Sequence, residues 1–269
     1  MVNFLYMTTN CLEIKTVQAS SFKILIEALK ELLIDTCIEF DETGLKIIAM
    51  DTSHIVLVHL KLDAAKFEHF YCRGKISIGV NMLNLHKLIK TINSTDTLTL
   101  FMDDTNINYL GIKIENGDKN TKTVYKLNLL DLDHEQISID PTEFNSVITL
   151  PSTDFQKICR DMFNISELVE IKSIGNQLIF SCQGEYASQE TILTDNESGF
   201  ITAKSGGAGK VGEIVQGVFK LKFLCTFAKC GNLSNTMEIF LKNDFPCVIC
   251  YQVASLGIIK LAIAPSSLD

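Results

Sequence analysis

The chain has 269 residues and a mass of 30.0 kDa, with 46% hydrophobic and 21% charged residues, a composition that buries a sizeable core and excludes a disordered tail. With 24 Lys and Arg against 32 Asp and Glu, the formal charge is -8 and the isoelectric point about 5.2, which excludes a uniformly basic protein, so any contact with a polyanion has to be local. No basic leader precedes the short apolar stretch in residues 1–15 and no run of about 18 apolar residues follows, so we expect an unsecreted, soluble chain with no membrane partner.

In chain order, the first strong period is helical. Over residues 22–33, Phe22, Leu25, Leu29 and Leu32 share one face, while Lys23 and Lys30 lie on another. A second helix is expected over 83–93, with Leu85, Leu88, Ile89 and Ile92 inward and Lys87 and Lys90 away from them. The pattern then switches to alternation in 110–115 and 124–129, which reads as half-buried strands in mostly antiparallel sheets. Residues 134–142, which carry Asp140-Pro141, form a connector between a first domain at 1–133 and a second at 143–269. A third helix is expected over 155–165, with Phe155, Ile158, Cys159 and Met162 on one face and Lys157, Arg160 and Asn164 opposite. A fourth is expected over 219–230, with Leu221, Leu224 and Ala228 facing one way and Lys222, Thr226 and Lys229 another, before a strand at 237–239.

These elements form a duplication. Phe22, Leu25, Leu45 and Ile47 match Phe155, Ile158, Leu178 and Phe180 at an offset of 133. Lys90, Asn93, Thr97, Leu98 and Leu100 match Lys229, Asn232, Thr236, Met237 and Ile239 at an offset of 139. An insertion of six residues in the second copy accounts for the drift, and the Gly-rich stretch 205–210 is its expected place. Over the four expected helices, nine cations (Lys220 among them) stand against three carboxylates, a net +6 that leaves -14 on the rest of the chain. Basic charge gathered on the helices of an acidic protein points to a polyanion on that side, against the plainer alternative of four Lys-rich surface helices.

No catalytic set is complete. His134-Glu135 begins a zinc-helix motif, but Ser138 stands where the second histidine belongs. Asp104, Asn106, Asn108 and Glu115 have calcium-loop spacing, yet Tyr109 replaces the Gly of the sharp turn and a hairpin is expected instead. Gly209-Lys210 lacks the rest of a phosphate-binding loop, and Asp131 and Asp133 have no third ligand nearby. The nine scattered cysteines suit a reducing compartment, and Cys247 and Cys250, a lone CxxC inside an apolar run, read as buried strand residues. We therefore expect no catalytic residue, metal or cofactor.

The segments 50–54 (MDTSH), 79–90 (GVNMLNLHKLIK), 130–136 (LDLDHEQ), 158–161 (ICRD) and 261–265 (LAIAP) resemble proliferating cell nuclear antigen, the eukaryotic-type DNA sliding clamp, in family order from about Cys11 to Pro265. The resemblance implies an α+β fold of two similar clamp domains, antiparallel sheets outside and helices lining a central hole, with six domains in a homotrimeric ring. It implies a processivity factor that encircles double-stranded DNA without reading its sequence and docks a DNA polymerase and clamp loader through short peptide motifs, in a nucleus or at a cytoplasmic viral replication site.

The family's DNA-facing cations fall on Lys23, Lys30, Lys87, Lys90, Lys157, Arg160, Lys222 and Lys229, and two further family basics are replaced by Ile24 and Asn164. Partner peptides in the family dock at positions that here are Met50, His54, Leu57, Ile137, Ile139, Pro246, Ala262, Ala264 and Pro265, with Ala262 in place of the usual aromatic. Tyr125 and Leu127 are expected at the trimer interface, where 121–129 meets a neighbour's edge in 187–195. Residues 1–10 are extra relative to the family, and its acidic tail is absent. A subunit of a checkpoint-type heterotrimeric clamp, or a monomeric DNA-binding polymerase accessory, would fit the basic helices as well.

Overall fold

The computed structural model describes residues 10–133, 137–194, 202–205 and 214–266. In chain order the first half carries β1 (Asn10–Thr16), α1 (Ala19–Leu29), β2 (Asp35–Asp41), β3 (Gly44–Met50), β4 (Val56–Asp63), β5 (His69–Cys72), β6 (Ile76–Asn81), α2 (Met82–Ile89), β7 (Asp96–Asp103), β8 (Asn106–Asn116) and β9 (Thr121–Asn128). The second carries β10 (Ser146–Pro151), α3 (Ser152–Phe163), β11 (Leu168–Ile174), β12 (Gln177–Gln183), β13 (Ser188–Thr194), β14 (Thr202–Ser205), β15 (Ile214–Lys220), α4 (Leu221–Ala228), β16 (Thr236–Leu241), β17 (Cys247–Val253) and β18 (Gly257–Ile263). Each half thus runs strand, helix, five strands, helix, three strands.

The described residues fall into two compact units, one of 10–47, 60–133 and 254–257, the other of 48–59, 137–253 and 258–266. In the first unit an antiparallel sheet runs β5-β1-β7-β8-β9, and β2 pairs with β3 and β6. In the second, an antiparallel sheet runs β13-β12-β11-β15, and β14-β10-β16-β17-β18-β4 follow one another in a further sheet. Within each unit the two helices pack on each other. Their apolar stripes, Phe22, Leu25, Ile26 and Leu29 with Met82, Leu85 and Ile89, and Phe155, Ile158 and Met162 with Leu221, Leu224 and Phe227, are buried. Each large apolar side chain so buried contributes roughly 1.5–3 kcal/mol.

The duplication reaches individual hydrogen bonds. The Met82 amide donates to the Ile34 carbonyl at 2.8 Å, and Leu221 donates to Glu167 at 2.8 Å. These positions lie 139 and 133 apart, the two offsets read from the residues. Leu130 donates to Gly79 at 2.9 Å in the first unit, as Ser266 does to Val218 at 2.8 Å in the second. In the β2–β3 turn the oxygen of Asp41 accepts from the Thr43 amide at 2.7 Å, and Gly44, at φ 145°, lies so close to Leu62 that a Cβ would meet its carbonyl oxygen at 1.9 Å. Only glycine fits there.

Helix ends differ from expectation. α1 and α3 begin three residues early: Ala19 to Ser21 and Ser152 to Asp154 build the first turns, in which Ala19 and Ser152 are buried although neither is a large apolar residue. α2 ends at Ile89 rather than 93, and turns follow it. α4 begins at Leu221, not 219, since Phe219 and Lys220 are ladder-paired to Val169 and Leu168, and residues Lys229–Asn232 form a 3-10 turn. Lys220 therefore belongs to a strand. The calcium-spaced residues sit in the β7–β8 hairpin, whose turn is held by Asp103 accepting from the Thr105 amide at 2.8 Å. Of the expected insertion 205–210, only Ser205 is described, and His134 to Gln136 of the connector and the extra residues 1–9 likewise lie outside the described residues. All nine cysteines are free thiols, and burial pushes Cys247 up to about 12 and Cys250 up to about 11.

Candidate nucleic-acid interface and docking cavities

In the first unit, Lys87 and Lys90 are exposed beside the buried stripe of α2, and Lys30 follows the end of α1, where it pairs with Glu31 at 3.1 Å. Lys23 is half-buried, and its ammonium donates to the Ile92 carbonyl at 2.5 Å, so part of its charge serves the fold. In the second unit, Lys157 and Arg160 on α3 and Lys222 and Lys229 at either end of α4 are all exposed. Asp154, in the first turn of α3, and Asp161, 3.9 Å from Arg160, offset the cations of that helix. Lys30, Lys90 and Lys229 each occupy the position that closes a helix. A cation there favours the helix dipole by about 0.3–1 kcal/mol, so these lysines also have a structural use.

The nine expected docking positions do not converge on one hollow. Leu57, Ile139, Pro246 and Ala262 line a cavity of about 710 Å³ in the second unit. Ala264 and Pro265 line a second cavity there, of about 820 Å³, with Ile55, Phe163, Lys220 and Lys222. The Ala264 amide donates to the Ile55 carbonyl at 3.0 Å. Met50 and His54 are exposed and Ile137 is half-buried, and none of them lines either cavity. Sequence reasoning missed the aromatic wall of the first cavity, Phe144 packed edge-on against Phe240 at 5.5 Å and Phe245 at 5.8 Å, with Lys242 5.3 Å over the Phe245 ring. Phe240 lies on β16 and Phe245 in the turn that follows it, while Phe144 precedes β10 about 100 positions earlier, so no local spacing would have joined it to them.

The turn between β3 and β4 is organised by one carboxylate. Asp51 is 7% exposed and accepts from the amides of Ser53 (3.1 Å), Ile55 (2.9 Å) and Val56 (2.7 Å) and from the Ser53 hydroxyl. Burial alone would raise its pKa, but the Ser53 hydroxyl and the three amides outweigh burial and hold the carboxyl below its ordinary value. The turn carries His54 at φ 55°, a left-handed conformation, with its amide bonded to the Asp51 carbonyl at 2.9 Å.

Among the strands that end their sheets are β9 in the first unit and β13 in the second, each paired on one side only among the described residues. Tyr125 is half-buried and Leu127 is 8% exposed, so Leu127 faces its own core and the apolar side chain that β9 presents outward is Val124, with Lys122 and Lys126 beside it. β13 presents Ile192 and Glu190. Among the described residues, no three His, Cys, Asp or Glu are grouped to hold a metal, and no helix is long and apolar enough to cross a membrane.

Residues 11–136 match the family model for the N-terminal domain of proliferating cell nuclear antigen, and residues 138–266 match that for its C-terminal domain. A protein of Paramecium bursaria Chlorella virus 1, described as "Probable DNA polymerase sliding clamp 1", is 34% identical over 256 residues, covering 94% of this chain and 95% of the relative.

Proposed function

Because the chain belongs to the proliferating cell nuclear antigen family of DNA sliding clamps, we propose that three copies close head to tail into a ring around duplex DNA and hold a polymerase on its template. Clamps of this type are non-enzymatic processivity factors. The observation that carries the proposal is the set of exposed cations on the paired helices, Lys87 and Lys90 in one unit, with the half-buried Lys30 at the end of α1, and Lys157, Arg160, Lys222 and Lys229 in the other, in a chain of net charge -8. Such side chains meet phosphates without reading bases, which permits sliding.

Closure of the ring would use the β9 edge of one copy against the β13 edge of the next, with Val124 against Ile192 and Lys122 or Lys126 near Glu190. The polymerase, the clamp loader and other replication and repair proteins would dock by short peptide motifs over the two cavities of the second unit, with the connector 137–142 covering one flank. The setting would be a nucleus or a cytoplasmic viral replication site.

Mass photometry of the purified chain, with and without circular DNA, tests the ring. A species of about three times 30.0 kDa that stays on closed circles and is lost on linearisation is expected. A single-chain mass at micromolar concentration and low salt would instead make this a monomeric accessory factor.

A further inference from the structure

In the first unit, α2 carries a histidine, His86, one turn before Lys90 and within electrostatic reach of Lys30. Lys90 is one helical turn beyond His86, its amide bonded to the His86 carbonyl at 2.8 Å, and Lys30 follows α1, which packs against α2. The ring is half-buried and takes no hydrogen bond among the described residues.

The charged groups that reach the ring are Lys30, Glu27 and Glu31 from α1 and the turn after it, and Lys90 from its own helix. Of the strands packed on α2, β6 has no titratable side chain. β9 has Lys122, Tyr125 and Lys126, the last turned over the Tyr109 ring at 4.5 Å. Burial, then the ammonium groups of Lys30 and Lys90, hold the imidazole below its ordinary pKa against the opposing pull of Glu27 and Glu31.

We propose that binding of duplex DNA to this face takes up a proton and that His86 receives it, which makes His86 a further phosphate contact whose strength depends on pH. The proposal rests on the DNA-encircling function above. A phosphodiester seated at Lys90 places a negative charge beside the ring, which favours the imidazolium, and adds an acceptor for its N–H groups. The ring's pKa is then higher on DNA than off it. By linkage, affinity rises as pH falls through the DNA-bound value and levels off below the free value, which itself lies under the usual imidazole pKa of about 6.5. A fixed-charge lysine contact has no such dependence, and phosphodiesters do not titrate in this range.

The test is the anisotropy of a rhodamine-labelled duplex with the full-length protein at low salt, between about pH 6 and 8. For the wild type, affinity should rise on acidification by no more than about tenfold per pH unit, the limit for one proton. His86→Gln should flatten that slope, and His86→Lys should bind at the upper pH as tightly as the wild type does at the lower, which keeps the test decisive should the Gln variant lose its fold. Equal slopes in wild type and His86→Gln, or a His86→Lys affinity no higher than wild type at the upper pH, overturn the proposal. Loss of binding in Lys87→Ala/Lys157→Ala/Lys229→Ala alongside unaltered His86 variants would sink this inference alone, whereas absence of DNA binding by every protein would remove the DNA-encircling function together with it.

Discussion

Asp51→Ala removes the acceptor of three amides and one hydroxyl in a turn that no other side chain organises so fully. Ser53 is exposed and can turn to water, so little is lost there. The Ile55 amide is half-buried and the Val56 amide buried, and each such donor left unsatisfied costs about 1–3 kcal/mol, so we expect a loss of roughly 3 kcal/mol. Asp51→Asn keeps an oxygen for those two amides and places an NH2 against the Ser53 donors, for about 1 kcal/mol. Urea unfolding followed by circular dichroism should order the midpoints wild type, Asn, Ala, with unchanged slope.

The pH dependence supplies a second check. Since the folded pKa of Asp51 lies below the unfolded carboxylate value of about 3.9, its stabilisation is complete above that value and disappears as pH falls through the lower, folded one. The gap between wild type and Asn should therefore be constant from neutral pH to about 4 and close below it. Because Ile55, whose amide Asp51 holds, lines the second cavity, peptide affinity should fall along with stability. Midpoints of Ala and Asn that coincide, or a gap that persists in acid, would refute the role given to the carboxylate.

Replacing Lys87, Lys157, Arg160 and Lys229 by Ala should leave the fold and oligomer intact and flatten the dependence of log K on log salt by about 0.9 for each phosphate no longer neutralised, and unchanged DNA affinity would count against the interface. Lys23→Ala should in addition cost about 1 kcal/mol in urea unfolding, because its ammonium serves the Ile92 carbonyl. Val124→Lys or Ile192→Lys should convert the proposed trimer to monomers in sedimentation velocity by placing a charge in the proposed β9–β13 edge, and a trimer retained in both would exclude this pairing. Ala262→Tyr should narrow the Leu57–Pro246 cavity and tighten a family-type peptide in calorimetry by about five- to thirty-fold, and Ile139→Ala should weaken it. Tight binding indifferent to both would mean that the peptide sits elsewhere.

The duplication, the four amphipathic helices and the antiparallel strands were legible because each rests on spacing along the chain. An apolar residue every third or fourth position makes one helical face whatever surrounds it, and the offsets 133 and 139 survive in the Ile34–Met82 and Glu167–Leu221 hydrogen bonds. Where an element ends is not periodic. Ala19, Ser20 and Ser21 could have been loop, and Phe219 and Lys220 continue the apolar rhythm of α4 although the ladder with Val169 and Leu168 claims them for a strand. Side-chain direction also needed the tertiary structure, since Leu127 and Val124 look equally available in the alternation of β9 but only Val124 points away from the packed sheet. The docking surface shows the limit most plainly: six of its nine resemblance-derived positions divide between two cavities and three line neither, and its aromatic wall joins Phe144 to Phe240 and Phe245 across about 100 positions of chain, a contact set by sheet packing that no local pattern encodes.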